Sequence, residues 1–397
     1  MQIARIAQSM VGVAIVLFTI TVYRSAELAG LVTFLSIAPG LLVSPLAGAL
    51  LDRHGRSLLI RIDFVVAFVS LTLIGALSIL GLLPVWLLLL IATVSSLTQP
   101  LSATGLRSLF PILVPSHLWE RVNAVDSMGY VVATIAGPPL AGALVGIAGG
   151  PLALIVTGLV YAVAAAVLTG IPDPRTDTST TGRLFRDAWD GVVYTWRNPT
   201  LRALGFSISA LNLSGGVTTI AVPLILIDRL HEPAVTVGLT FAAMGIGGGV
   251  AALAFGRIDS SGRERRMLVV PMLASGAALL LLLPMNGLAL VIVVMTLIGL
   301  LNGPMDIALF TVRQRRTDPA WMGRAFAVSM AFNFAGFPVG SAISGWLAPR
   351  SMELVILFGA VACLAAAILA LGIPTSDERM PEGRAGVETA ESRTSTA

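Results

Sequence analysis

Apolar runs of about 20 residues recur along the whole chain, with short polar breaks between them. A run of about 20 residues is what an α-helix needs to cross the hydrocarbon core of a bilayer. The pattern therefore predicts an all-α polytopic membrane protein with twelve transmembrane helices. The predicted spans are 3–22, 29–51, 62–81, 86–106, 122–146, 151–171, 203–227, 236–255, 267–284, 289–311, 325–346 and 353–373.

The composition agrees with a membrane protein and disfavours other classes. Of the 397 residues, 56% are hydrophobic and 12% charged, whereas soluble domains carry about 25% charged residues. A soluble enzyme, a secreted disulfide-rich protein and a disordered chain are therefore disfavoured. Cys363 is the single cysteine, and the three histidines are scattered over loops. We expect no disulfide, no metal and no cofactor.

Arginine sets the direction of the spans. An even number of spans places both termini on one side of the membrane. The loops and termini on that side hold 22 arginines, and the opposite loops hold three, Arg24, Arg229 and Arg350. Because cytoplasmic loops are enriched in basic residues, we predict a bacterial inner-membrane protein with both termini in the cytoplasm. The same bias explains the net charge of +4 without a nucleic-acid partner.

Two predicted non-membrane regions divide the chain. An N-terminal six-helix bundle covers 1–171, a cytoplasmic linker 172–202, a C-terminal six-helix bundle 203–373 and a disordered cytoplasmic tail 374–397. Within the linker, Gly182–Asn198 has apolar residues along one helical face and charged residues opposite. This segment predicts an amphipathic helix that lies on the inner membrane surface in contact with lipid.

The two halves carry related sequence at corresponding places. Gly48–Arg56 follows span 2, and Phe255–Arg263 follows span 8, 207 residues later, with Asp, Gly and Arg in register. Trp119 before span 5 corresponds to Trp321 before span 11, at an offset of 202. Matches in the same order at similar offsets predict a duplicated six-span unit.

The loop between spans 2 and 3 fits the pattern G-x-x-x-D-R-x-G-R. Its residues are Gly48, Asp52, Arg53, Gly55 and Arg56, and the second copy keeps Asp259, Gly262 and Arg263. Gly55 allows a tight turn, Asp52 can face a helix N-terminus, and the arginines can pair with carboxylates or lipid phosphates. Such contacts, formed in one conformation and broken in the other, make a conformational latch. An ordinary positive-inside turn is the alternative.

This loop resembles the signature loop of the major facilitator superfamily. Three further stretches resemble one branch of it, the third drug/proton antiporter family of macrolide and siderophore exporters: Pro111–Ser127, Gly182–Leu201 and Gly299–Gly345. The resemblance implies the major facilitator fold, with two pseudo-symmetric six-helix bundles around a cavity that opens alternately to each side. It also implies export of amphiphilic compounds driven by proton entry. We further expect a monomer.

A second stretch resembles the motif that marks exporters in this superfamily, here without its upstream glycines. It lies in span 5 and contains Gly137, Pro138, Pro139 and Gly142. Proline kinks a helix and glycine lets neighbouring helices approach, so simple helix packing is the alternative. The arginine usual in span 4 of the family is absent from the stretch 95–100.

Three acids within the predicted spans are candidates for a functional charge, since charge inside a bilayer is costly and usually functional. Asp63 and Asp126 lie in the first turns of spans 3 and 5, where the helix dipole favours a carboxylate, so a structural role comes first. Asp306 lies near the end of span 10, where the dipole opposes it. Asp306 is therefore the first candidate for proton coupling, followed by Asp126 and Asp63. The alternative for Asp306 is a pairing with Arg313.

Amide side chains within the spans are the remaining candidates. They either line the central cavity or hydrogen-bond a neighbouring helix. These residues are Gln99, Asn212, Asn302 and Asn333.

The leading hypothesis is a secondary active transporter that exports hydrophobic or amphiphilic small molecules of the drug, macrolide or siderophore class. An importer or metabolite transporter of the same fold is the alternative. A membrane enzyme would need a catalytic cluster at a membrane face, and a non-transporting sensor would need a signalling domain; the sequence indicates neither. It also contains no nucleotide-binding motif. We expect no catalytic residues, and a small-molecule substrate, protons and membrane lipid as the partners.

Overall fold

The computed structural model of the protein describes residues 2–109, 114–170, 184–256, 262–284, 287–318 and 321–374. Within these ranges the chain forms helices and no strand. The helices are α1 Gln2–Phe18, α2 Ala26–Leu35, α3 Ala38–His54, α4 Arg56–Ile79, α5 Val85–Ser108, α6 Trp119–Ala148, α7 Gly150–Leu168, α8 Leu184–Arg197, α9 Pro199–Leu224, α10 Ala234–Phe255, α11 Glu264–Leu280, α12 Leu288–Arg315, α13 Met322–Phe334, α14 Gly336–Leu347 and α15 Met352–Ala370.

The helices follow the predicted spans. Among the described residues, ten helical stretches are long and apolar enough to cross a membrane, and each coincides with a predicted span. The other two predicted spans coincide with α11, which has 17 residues, and with the consecutive helices α13 and α14. Spans 2 and 11 are each divided into two helices, at 36–37 and at Ala335. The all-α polytopic fold is confirmed, and ten of its twelve predicted spans meet the full length requirement.

The predicted tight turn is seen at Gly55, and a glycine at the corresponding place in the second half also has a positive φ. Gly55 joins α3 to α4 with φ of 95°, and Gly262, 207 residues later, precedes α11 with φ of 72°. Residues with a Cβ rarely adopt such angles, whereas glycine does so readily. Glycine therefore supplies a residue with positive φ at corresponding places in both halves.

The two halves of the chain repeat one pattern of helix packing. In the first half, α1 packs on α6 and α7, α3 on α5, and α4 on α7. In the second half, α9 packs on α14 and α15, α10 on α12, and α11 on α15. The helices α5 and α12 occupy corresponding places, and each contains a proline, Pro100 and Pro304. This repeat in packing agrees with the predicted duplication.

Because successive spans run in opposite directions, the bundle has two ends. The proximal end holds the start of α1, the α3–α4 turn, helix α8 and the end of α15. The distal end holds the π-helical turn Thr19–Tyr23, the α4–α5 turn, the junction of α6 with α7, and the corresponding turns of the second half. At the proximal end, α8 contacts α3, α9 and α13 and so touches both halves.

Candidate functional site

The predicted latch is described in part. Gly55 forms the turn and Arg56 begins α4, whereas Gly262 and Arg263 are the two residues before α11. The remaining latch positions, in whole or in their side chains, lie outside the described residues: Gly48, Asp52, Arg53 and Asp259. The turn is thus seen in the first copy, and the latch itself stays a prediction.

The exporter-type stretch of α6 lies where the two halves meet. A methyl group placed on Gly142 would lie 3.2 Å from the Cα of Gly238 on α10, and one placed on Gly238 would lie 2.8 Å from the Cα of Pro139. Gly137 faces α1 instead, where a methyl group would lie 2.5 Å from the Cβ of Ser9. The stretch therefore packs α6 tightly against its own half and against the opposite half.

A second contact between the halves joins α2 to α14 through two glycines that the sequence interpretation missed. A methyl group on Gly345 would lie 2.9 Å from the Cα of Gly30, and the reciprocal distance is also 2.9 Å. Close by, the Arg350 guanidinium lies 3.7 Å from the Glu27 carboxylate and 4.1 Å above the Trp346 ring. The sequence signal for this contact was the presence of glycines within the spans. Such glycines identify a helix contact only when the facing helix is known.

Both glycine contacts lie at the distal end. Gly30 and Gly238 are near the starts of α2 and α10, and Gly142 and Gly345 are near the ends of α6 and α14. Helices α3 and α13 continue the spans of α2 and α14 toward the proximal end, and there they touch only sparingly. The two halves are therefore closed against each other at the distal end.

Asp306 lies on α12 and is exposed. Met305 packs into an apolar cluster with α9, α11 and α15, and Gly303 faces Ala251 on α10. These packed faces leave Asp306 on the side of α12 that is turned toward the opposite half. Within the described residues Asp306 forms no ion pair. The proton-coupling role of Asp306 stays a prediction.

Arg313, the alternative partner of Asp306, is buried and turned toward α13. Its guanidinium lies 2.8 Å from the sulfur of Met330 and 5.7 Å from the centre of the Phe310 ring. With the Asn333 amide turned to accept, Arg313 also donates to the Asn333 side-chain oxygen at 2.5 Å. The described contacts of Arg313 thus hold α12 to α13.

The four amide candidates lie in different settings. Asn212 donates to the backbone oxygen of Asn333 at 3.0 Å, which joins α9 to α13. Gln99 lines a cavity inside the first half. Asn302 is half-buried, four residues before Asp306, and so lies on the same side of α12. Asn302 is therefore the amide placed nearest to the space between the halves.

Asp126 forms an ion pair with Arg5, which joins α6 to α1. The two side chains are 4% and 10% exposed, respectively. The Arg5 guanidinium also lies 5.5 Å from the centre of the Tyr130 ring, one turn further along α6. A paired, buried carboxylate that links two helices favours the structural interpretation of Asp126.

Asp63 lies on α4 at the wall of a cavity of about 70 Å³ that is lined mainly by residues of α1, α4, α5 and α7. Its side chain is 4% exposed, and Thr98 and Ser102 on α5 are hydrogen-bond partners of the carboxylate. The cavity is also lined by Gln8 and Tyr161. All the lining residues belong to the first half, so Asp63 lies within that half.

These features define a class of protein. Two halves of membrane-spanning helices with repeated packing, in contact at one end, are typical of a major facilitator transporter. In the part of the chain that the structure describes, no group of three His, Cys, Asp or Glu residues could hold a metal ion.

Comparisons with known proteins place the chain in this superfamily. The family model for transmembrane secretion effectors of the major facilitator superfamily matches residues 1–391, and the chain belongs to this family. It is 35% identical over 374 residues to the MFS-type transporter y4rN of Sinorhizobium fredii, covering 94% of this chain and 92% of that protein. It is 22% identical over 358 residues to macrolide efflux protein A of Streptococcus pyogenes, covering 88% and 87%.

A solved structure supports the fold. The nucleoside transporter NupG superposes with a TM-score of 0.73 at 13% identity, covering 94% of this chain and 98% of that chain. At this identity the likeness concerns the fold alone. The major facilitator fold implied by the resemblance is thereby confirmed.

Proposed function

We propose that this protein is a secondary active exporter of hydrophobic or amphiphilic small molecules, of the drug, macrolide or siderophore class, that works by alternating access and is driven by proton entry. The observation that carries the proposal is the pair of glycine contacts at the distal end. One joins α2 to α14 and the other joins α6 to α10. Because they hold corresponding places in the two halves, both can open together when the halves rock around a central substrate.

Two observations support export over import. The relative from Streptococcus pyogenes is named for macrolide efflux. The stretch Gly137–Gly142, which resembles the exporter motif, packs across the two halves. Import, or transport of a metabolite by the same fold, is the alternative that the experiment below distinguishes.

The proposed coupling residue is Asp306. Its side chain faces the space between the halves, with Asn302 one turn before it. A carboxyl group in such a place meets water when the space is open and loses it when the space closes. It can therefore bind a proton on one side of the membrane and release it on the other. Asp306→Asn keeps the shape and removes the proton-binding group.

The proposed orientation follows the arginine bias. With both termini in the cytoplasm, the proximal end faces inward and the distal end faces outward. Helix α8 then lies on the inner surface, where Trp189 and Trp196, 66% and 57% exposed, are suited to the lipid interface. The working unit in this proposal is a monomer in the bacterial inner membrane.

Transport in proteoliposomes tests the proposal. The probe is ethidium, whose permanent charge keeps a pH gradient from concentrating it unaided, and the membrane potential is clamped with potassium and an ionophore. With an acidic lumen, a proton antiporter takes the dye into the lumen in either insertion direction. A proton symporter needs an acidic exterior instead. Protein-free vesicles give the background.

We expect dye accumulation with an acidic lumen, no accumulation by Asp306→Asn, and persistent dye-for-dye exchange by that variant. Gly12→Ala is the matched control, since a methyl group at Gly12 meets nothing within 4 Å. Ethidium accumulation with an acidic exterior would indicate proton symport and would contradict proton-driven export. Accumulation that survives in Asp306→Asn would remove Asp306 from the coupling step. A protein that moves neither ethidium nor a radiolabelled macrolide under either gradient would overturn the proposal.

A further inference from the structure

The cavity around Asp63 combines a buried carboxylate with room for water. A water molecule needs about 10–15 Å³ of such volume, so a cavity of about 70 Å³ holds several. Nine of its lining residues are polar: Gln8, Ser36, Asp63, Ser70, Ser95, Ser96, Gln99, Ser102 and Tyr161. An apolar cavity of this size would stay dry, whereas this one offers each water several partners.

The groups that face Asp63 carry no positive charge. Helix α1 contributes Gln8, α5 contributes hydroxyl and amide side chains, and α7 contributes Tyr161. Tyr161 is the one other titratable residue among the described lining residues, and none of them is basic. The Asp126–Arg5 pair shows the opposite arrangement, a buried carboxylate whose charge is balanced directly.

The hydroxyl partners of Asp63 have alternative acceptors in place. The Thr98 hydroxyl lies 3.1 Å from the backbone oxygen of Ser95, and the Ser102 hydroxyl lies 3.2 Å from that of Gln99. Each hydroxyl has a single proton to donate. When Asp63 is ionised, both can donate to the carboxylate. When Asp63 is protonated, both hydroxyls can donate to α5, and one of them can accept the single proton of the carboxyl group. Both protonation states are thus satisfied without moving the backbone.

The second half of the protein shows that the fold does not require this cavity. The stretch of α11 that corresponds to the surroundings of Asp63, Met267–Val270, is wholly apolar. Within it Leu268 is fully buried in a cluster with Leu204 and Met272. One six-helix unit therefore fills this space with side chains, and its duplicate keeps a polar cavity with an acid in the same place.

We infer that the cavity around Asp63 is a proton-binding site inside the first half, filled with water and lined by residues of that half alone. This inference rests on the proposed function in one respect, namely that the proton is the cation that the site binds in the cell. Proton uptake converts the carboxylate to a carboxyl group. The proton comes from cavity water and returns to it, and no other group changes its charge.

Infrared spectroscopy of the purified full-length protein in lipid tests the site without transport. The C=O stretching band of protonated carboxyl groups is followed as pH is varied, in choline chloride and in sodium chloride. We expect one pH-dependent component that is lost in Asp63→Asn and kept in Asp306→Asn. Ser102→Ala removes one hydroxyl partner, so it should keep that component and move its frequency and titration midpoint.

The outcomes separate this inference from the proposed function. A component that is equal in wild type and Asp63→Asn would overturn the site, whatever ethidium transport shows. A component that disappears when sodium replaces choline at constant pH would make the cavity a sodium site and overturn the proton assignment. If Asp63→Asn fails to fold, Ser102→Ala decides, and an unchanged frequency and midpoint would overturn the inference. If the wild-type protein transports no ethidium but shows the infrared component assigned to Asp63, the exporter proposal alone is contradicted.

Discussion

Replacing Gly345 with alanine should weaken the closure of the distal end. The added methyl group would lie 2.6 Å from the backbone oxygen of Ala26 and 2.9 Å from the Cα of Gly30, whereas ordinary contact begins at 3.4 Å. These neighbours are backbone atoms of α2, so no side chain can rotate away. Helices α2 and α14 must therefore separate locally by about 0.8 Å, the difference between 2.6 and 3.4 Å.

The magnitude follows from the energy of overpacking. An extra methyl group in a well-packed contact typically costs about 1–3 kcal/mol. Because the contact exists while the distal end is closed, the cost falls on that conformation and is relieved when the end opens. A bias of about 1–3 kcal/mol changes the ratio of closed to open molecules by about 5- to 150-fold.

Distance measurements between spin labels can detect this shift. The labels are placed at Leu82 and His231, both exposed in distal turns of opposite halves, in a background where Cys363 is replaced by alanine. We expect Gly345→Ala to move the distance distribution toward longer separations in the absence of substrate. The same change should appear for Gly142→Ala, whose methyl group would meet the backbone of α10.

The matched control separates packing from helix propensity. Gly12→Ala introduces the same methyl group in a helix where nothing lies within 4 Å, so it should leave the distance distribution unchanged. If Gly345→Ala also leaves it unchanged while the protein stays folded, the glycine contacts do not hold the distal end closed. The inference that overpacking at Gly345 shifts the protein toward an open distal end would then be refuted.

Three further predictions concern the latch, a buried ion pair and the topology. Asp52→Asn should leave membrane levels normal and greatly reduce efflux; unchanged efflux would make the loop an ordinary turn. Asp126→Asn leaves the charge of Arg5 buried and without its carboxylate partner, which should lower the free energy of unfolding by about 3–5 kcal/mol. It should lower Tm, and replacing both partners with apolar residues should restore much of the loss. Reporter fusions at Gly182 and Ala397 should be active with a cytoplasmic reporter, and a strong periplasmic signal would contradict the topology.

The elements were predictable because their signals are local. A run of about 20 apolar residues identifies a span without reference to any other part of the chain. The turn at Gly55 was predictable for the same reason, since positive φ is a property of one residue. The breaks within spans 2 and 11 were missed, because hydropathy continues across them.

The partners of the acids were not predictable, because they lie far apart in sequence. Arg5 and Asp126 are 121 residues apart, and their pairing depends on how α1 and α6 pack. The orientation of Asp306 depends likewise on which faces of α12 are covered by its neighbours. The helix dipole distinguishes acids by their position along the helix axis. It does not indicate on which side of the helix an acid lies.

The two halves differ most at one corresponding position beyond a helix proline. Pro100 in α5 and Pro304 in α12 are 204 residues apart, and so are Ser102 and Asp306. A proline inside a helix leaves the carbonyl four residues earlier without its usual donor and opens the local backbone. Polar side chains are easier to place beside such a site. The first half uses the position for a hydroxyl that supports Asp63, and the second half uses it for an acid that faces the opposite half. The repeated helix packing thus supplies one scaffold, and in our proposals the two copies place their acids differently, one within the first half and one facing the opposite half.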